Sequence, residues 1–131
     1  MSLIKPTFIK IDQLEPQLKG VNVIVKILEK KIVLDRTDIL GVHTKLAECL
    51  VGDETGCILV VLKNEQIDKV NVNNIAVIRN AEVKVYKGFV KIYISVFGKI
   101  EFASDQNAIS SINQENNLSE IEWELVKDEK K

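Results

Sequence analysis

The stretch Glu82–Phe97, EVKVYKGFVKIYISVF, decides the reading of this chain. It holds two runs of alternating apolar and polar residues that meet at Lys87-Gly88. Two such runs separated by two turn residues predict a β-hairpin. A two-residue turn sets Tyr86 against Phe89, Lys84 against Lys91 and Glu82 against Tyr93 on one side. Val83, Val85, Val90, Ile92 and Ile94 take the other side as an unbroken apolar set. One face therefore builds a core, while the other presents rings interleaved with lysines. That second face has the chemistry a nucleic-acid strand requires, because bases stack on rings and phosphates pair with ammonium groups. Three rings on a solvated sheet face cost solubility, so they call for an explanation.

Outward from the hairpin, the rest of the chain reads as more strands. Val21–Leu34 is a long β-branched run, predicted to be a first strand that bends. Asp35–Val42 reads as a loop. Lys45–Val51 and Cys57–Leu62 read as two strands joined by Gly52-Asp53-Glu54-Thr55-Gly56. In that turn the Asp53 side chain is expected to close an Asx-type turn and Gly56 to take a positive φ. Asn64–Val70 predicts one short helix capped by Asn64, with Ile67 and Val70 on one side. Asn71–Asn74 is a loop. Five strands, a short helix between the third and fourth, and no βαβ rhythm predict an all-β protein. The architecture expected over residues 21–102 is a five-stranded Greek-key barrel of the oligonucleotide-binding (OB) kind.

The flanks are read separately. Residues 1–20 form a lead-in: Ile11, Leu14 and Leu18 have helical spacing, but Pro16 forbids a regular helix, so an irregular arm packing inward is expected. Residues 103–117 are polar and poor in large apolar groups, which predicts a flexible linker. Residues 118–131 form a C-terminal extended segment. Ile121, Trp123 and Leu125 alternate there, so its Trp123 side is expected to dock on the barrel, with Lys127–Lys131 disordered.

At 131 residues the chain is long enough for one core. No apolar run is long enough to span a membrane, and the N-terminus shows no signal-peptide pattern. With two cysteines, this points to an intracellular protein in a reducing compartment, nuclear or cytoplasmic. The net charge of −1 hides an asymmetry. Residues 1–100 carry 15 Lys/Arg and 11 Asp/Glu, whereas 101–131 carry 3 and 8. A mildly basic body with an acidic tail is compatible with nucleic acid without demanding it. The tail itself reads either as a mimic that shields the basic face or as a solvated end.

The inventory for catalysis is thin: GxSxG, P-loop, GxGxxG and HExxH patterns are all missing. No enzyme activity, catalytic residue, cofactor or small-molecule substrate is expected. Cys49, Cys57 and His43 fall short of the roughly four ligands of a zinc site, so no metal is expected. The cysteines read as small buried hydrophobes, and His43 as solvated.

Three stretches carry a family resemblance: FIKIDQLEPQLKGVNVIVKILE, AECLVGDETGCILVVLKNEQID and VIRNAEVKVYKGFVKIY. Their order and spacing resemble the single-domain OB-fold single-stranded-DNA-binding proteins. These are the archaeal simple type and the B subunit of the eukaryotic sensor-of-single-stranded-DNA (SOSS) complex. The GDETGCIL turn and the NNLSEIEWEL tail look closer still to a plant and protist group of single-OB-fold proteins. The resemblance covers residues 7–126 and implies strand binding by stacking on the barrel face, with Tyr86 and Tyr93 at ring positions. Lys63 stands where those members have a tryptophan, and Glu82 where they have a tyrosine. A stacked base contributes roughly 1–3 kcal/mol, so two lost rings imply binding weaker by about 2–6 kcal/mol, or a shifted preference.

The candidate nucleic-acid-binding residues are thus Tyr86, Tyr93 and Phe89 for bases, and Lys84, Lys87, Lys91 and Lys63 for phosphates. Lys45, Arg36, Lys30 and Lys31 are expected along neighbouring strands and the first loop. The expected partner is single-stranded DNA, or else RNA or G-rich strands. The competing class is a protein-interaction module within a larger assembly, with a protein scaffold as partner. Two surfaces keep both readings open: the rings could pack under the tail, and Leu59 and Val61 give the third strand a second apolar face.

Overall fold

The computed structural model describes residues 7–123. Five strands follow in order: β1 (Val21–Thr37), β2 (His43–Gly52), β3 (Cys57–Lys63), β4 (Ile75–Tyr86) and β5 (Phe89–Phe102). They close in the order β1-β2-β3-β5-β4, with every pairing antiparallel except β3 to β5. This is the five-stranded OB barrel expected from the strand pattern. Its interior is built from period-two alternation: Val23, Val25 and Ile27 of β1, Ile58, Val60 and Leu62 of β3, and Val90 and Ile92 of β5 are all buried.

β1 bends as expected. Its pairing with β2 shifts register between Ile27 and Glu29 and again between Ile32 and Leu34. The shifts let the first half pair with β4 and the second half with β2. The strand runs on to Thr37, so the predicted loop at Asp35–Val42 shrinks to 38–42. Asp38 closes it, its Oδ1 accepting from the N–H groups of Leu40 and Val42, both at 2.9 Å.

The β2–β3 turn is a structural hub. Asp53 is 1% exposed, and its Oδ1 accepts from Thr55 N–H at 2.8 Å, Thr55 Oγ1 at 2.6 Å and Gly56 N–H at 3.2 Å. Its Oδ2 accepts from Ile11 N–H at 3.0 Å, which fastens the N-terminal arm. The arm has a single 3₁₀ turn, Ile11–Gln13, and buries Ile11 and Leu14 as the inward-packing reading required. The expectation for Gly56 is corrected. Its φ is not positive; the glycine is needed for room, since a Cβ there would meet the Asn116 carbonyl oxygen at 2.8 Å.

The helix between β3 and β4 is a 3₁₀ stretch, Asn64–Lys69, that sends Ile67 into the core. Asn64 does not cap it. It lies inside the first turn at φ 51°, and its Oδ1 accepts from Lys45 N–H at 3.0 Å. The end is closed instead by Gln66 Oε1, which accepts from Lys63 N–H at 2.9 Å.

The β4–β5 hairpin has the expected register, from Tyr86↔Phe89 through Lys84↔Lys91 and Glu82↔Tyr93 to Ala81↔Ile94. Lys87 at φ 53° and Gly88 at φ 91° make the turn, as a type I′ geometry demands. Below Ala81 the register slips to Arg79↔Lys99, so residues 95–98 of β5 bulge opposite Asn80.

Polar composition made residues 103–117 look like a flexible linker, but they are held to the barrel. Ile109 and Ala103 are buried against Ile75, with Ile112 beside them. Gln106 bonds both backbone groups of Ile75, at 2.9 and 3.0 Å. The Asn116 carbonyl accepts from Cys57 N–H at 2.8 Å. A 3₁₀ turn, Leu118–Glu120, then buries Leu118 in the main core. Finally Trp123 N–H donates to the Gly88 carbonyl at 2.6 Å. The segment therefore docks on the hairpin tip by backbone, while the Ile121 and Trp123 side chains stay half exposed. Leu125 and Lys127–Lys131 lie outside the described residues.

Asp53→Ala leaves several donors unpaired inside the fold, each costing about 1–3 kcal/mol. A loss of about 3 kcal/mol is expected, read as a lower urea midpoint at unchanged m-value. A midpoint equal to the parent's would refute the hub.

Candidate nucleic-acid interface

Strand alternation places one continuous outer surface across four strands. β2 contributes Leu46, Glu48 and Leu50, β3 contributes Leu59, Val61 and Lys63, β5 contributes Phe89, Lys91 and Tyr93, and β4 contributes Glu82, Lys84 and Tyr86. Tyr93 lies beside Val61 across the parallel seam. A cleft of about 280 Å³ opens there, lined by Val61, Lys63, Gln66, Glu82, Lys84 and Tyr93. A wider one, about 690 Å³, runs between the arm at Gln17–Lys19 and β4 at Glu82–Val85, but no ring lines it. The smaller cleft is the chemically richer.

The structure brings all seven candidate residues to this surface and its hairpin, although not as equals. Tyr86 is 67% exposed beyond the barrel end, whereas Phe89 and Tyr93 are half-buried. Val85, assigned to the core side, is 39% exposed because the hairpin tip overhangs the barrel. Each tyrosine carries a lysine at its ring: Lys84 Nζ is 5.2 Å from the Tyr93 centroid, and Lys87 Nζ is 5.4 Å from that of Tyr86. These cation–π contacts keep the ammonium groups next to the surfaces where bases would stack.

The lysines are less free than their number suggests. Lys91 pairs with Glu48 of β2, both side chains being 28% exposed. Lys84 lies 3.7 Å from Glu82. Like charges facing across strands repel, and for the pair Lys84 and Lys91 that repulsion is relieved by two carboxylates of the face itself. Among the described residues no carboxylate pairs with Lys63 or Lys87. Sequence reasoning missed Glu48, although the alternation of Leu46, Glu48 and Leu50 in TKLAECLV already placed it on the outer side.

Other expected positions differ. Lys30 turns away, its Nζ donating to the Val70 carbonyl at 2.9 Å. Lys31 pairs in register with Glu48 at the edge of the surface. His43 is not simply solvated; its ring pairs with Asp35, whose carboxyl is held below the usual range by that hydrogen bond. Cys49 and Cys57 are free and buried, and burial pushes both thiols up, away from nucleophile or ligand chemistry. Among the described residues no cluster of His, Cys, Asp and Glu is arranged to hold a metal.

Residues 14–102 match the family described as single-stranded DNA binding protein Ssb-like, OB fold. The chain belongs to the Ssb-like OB-fold family. It is 33% identical over 131 aligned residues to an uncharacterized protein of Arabidopsis thaliana, covering 93% of this chain and 84% of that one. It is 31% identical over 96 residues to the single-stranded DNA binding protein Ssb of Saccharolobus solfataricus. That alignment covers 73% of this chain and 64% of the archaeal one, so just under two thirds of that relative is matched. The solution structure of a hypothetical protein from Arabidopsis thaliana superposes with a TM-score of 0.78 at 30% identity, over 98% of this chain and 93% of that one. The Ssb-like match takes in the whole barrel and the hairpin that carries both tyrosines.

Within this Ssb-like surface, Glu48→Gln removes the carboxylate that neutralises Lys91. Because half-exposed pairs contribute little, the thermal midpoint should move by less than about 1 kcal/mol equivalent. Retention on heparin, a polyanion without bases, should increase. Unchanged or weaker retention would show that Lys91 does not face polyanions.

Proposed function

We propose that this Ssb-like protein binds single-stranded nucleic acid, without reacting with it, across the outer surface of β2, β3, β5 and the end of β4. The observation that carries the reading is the pair Tyr86 and Tyr93 on one outer side, each with an ammonium group at its ring. Family membership supports it. Bases stack on Tyr93 in the cleft and on Tyr86 at the hairpin, with Phe89 alongside. Lys84 and Lys87 swing from the rings to phosphates as the bases arrive, Lys63 meets the strand in the cleft, and Lys91 exchanges Glu48 for a phosphate. Because stacking reads any base, sequence preference should be slight.

The internal ion pairs set the strength. A lysine already paired with a carboxylate has no counterion to release, so only Lys63 and Lys87 contribute fully to the salt term. At about −0.7 per phosphate contact, the expected slope of log affinity against log salt is about −1.4, not the roughly −2.8 of four unpaired lysines. Anisotropy titrations of labelled dT, G-rich and RNA oligonucleotides at several salt concentrations measure it.

In the same assay, Tyr86→Ala with Tyr93→Ala should weaken binding by about 2–6 kcal/mol. Equal affinity of the double variant for every oligonucleotide would refute stacking. The second reading, a protein-interaction subunit of a larger nucleic-acid-processing assembly, is favoured by one feature: Leu46, Leu50, Leu59 and Val61 form an apolar strip on the outer side of β2 and β3. No binding to any oligonucleotide even at low salt would select it.

A further inference from the structure

The outer row of β5 does not stop at Tyr93. Ser95, Phe97 and Lys99 follow it at the same two-residue spacing, with Phe97 and Lys99 exposed, while Ile92 and Ile100 are buried. Rings thus recur every fourth residue, at Phe89, Tyr93 and Phe97, with lysines at 91 and 99. Phe97 is 84% exposed, more than either tyrosine, and lies in the bulge where residues 95–98 face Asn80 alone. Bulges re-aim side chains and are frequent beside functional sites.

This bulge is firmly built. Asn80 takes φ 54°, its N–H donates to Asn22 Oδ1 at 3.0 Å and its Nδ2 donates to the Phe97 carbonyl at 3.3 Å. Gly98 permits the approach, since a Cβ there would lie 2.7 Å from the Asn80 carbonyl oxygen. The barrel therefore holds a phenylalanine in water on a fixed backbone, where a loose loop would let it fold away.

Two cations lie close to it along the strand pairing. Lys99 pairs in register with Arg79, and the two share a single carboxylate, Glu101, at 3.9 and 3.8 Å. The Arg79 guanidinium also stands 5.3 Å from the centroid of Phe8, which is 38% exposed. Two cations on one carboxylate leave a local positive excess beside the Phe8 ring and two residues along β5 from Phe97. The tyrosine cleft reaches Ser95, the residue that leads into the bulge.

We infer that Phe97, with Lys99 and Arg79, is a second stacking and phosphate site, on which a strand leaving the tyrosine cleft continues along β5. The inference rests on the proposed strand binding and adds a place to it. From Phe89 to Phe97 the row reaches at most about 26 Å, the length of a fully extended strand. It also supplies a ring that offsets those missing at Lys63 and Glu82.

The test uses the full chain and oligothymidylates from about 4 to about 16 nucleotides. Affinity of the parent should rise with length in two stages. Phe97→Ala should leave the shortest oligonucleotides unaffected and weaken the longer ones about 5- to 150-fold, one stacked base. Because Lys99 and Arg79 share one carboxylate and leave at most one uncompensated charge, Lys99→Gln should reduce the salt slope for long oligonucleotides by up to about 0.7 and leave that for short ones unchanged. If Phe97→Ala binds every length like the parent while the tyrosine double variant is weakened, the extension is wrong and the tyrosine site stands. If the parent binds none, both readings fall. If Phe97→Ala alters only self-association in sedimentation, the patch is a protein contact and the inference is wrong.

Discussion

In an element of period two, a slip of one residue moves every side chain to the opposite face. The turn at Lys87-Gly88 is therefore the constraint on which the interface depends. Two successive positive φ angles close β4 onto β5 with Tyr86 opposite Phe89. From that register Val83, Val90 and Ile92 fill the barrel, and Tyr93, Lys84 and Lys91 look outward. The glycine does more than turn the chain. A Cβ at Gly88 would lie 2.9 Å from Glu122 Cγ and 3.1 Å from the Trp123 carbonyl oxygen, so the C-terminal segment docks only on a bare backbone.

That segment completes the barrel where strand pairing is weakest. β3 and β5 pair through only Val60↔Ile92 and Val61↔Tyr93. Beyond them Ser119 takes over: its Oγ accepts from Leu59 N–H at 2.9 Å and donates to the Val90 carbonyl at 2.7 Å. One hydroxyl thus bridges backbone groups of two strands that no longer bond each other. Tyr93 sits at the paired part of this seam, next to the stretch that the segment seals. The outer surface is balanced in charge by the same economy: Glu48 and Glu82 hold Lys91 and Lys84 in place, at the expense of attraction for a polyanion.

Much of this was legible in the amino-acid pattern, and the gaps have physical causes. Strands, hairpin register and barrel could be read because alternation and the Lys87-Gly88 turn are local signals. Six of the seven ring and lysine positions followed from the same turn and register, whereas Lys63, on β3, came from the family resemblance and the neighbouring strand. Long-range pairings were not legible. Nothing near Lys91 announces Glu48, and nothing near Leu59 announces Ser119, because each contact is made by chain closure. The polar run 103–117 hid Gln106 and Asn116, whose bonds satisfy backbone groups at the barrel ends, and Ile109, which packs against Ile75. Composition registers the polarity but not the partners. Asn80 and Gly98 likewise look like ordinary strand interruptions until the bulge they build is seen.

The central claim is that one outer surface, from the β4–β5 hairpin across Tyr93 to Val61, receives a single strand. The most direct measurement is a titration of the isotope-labelled full chain with an oligothymidylate, followed by backbone amide chemical shifts at low salt. The expected result is a contiguous set of shifted amides at Lys84–Lys91, Tyr93, Val61 and Lys63. Shifts confined to the β1–β2 loop at 38–42, or no shifts at all, would contradict it.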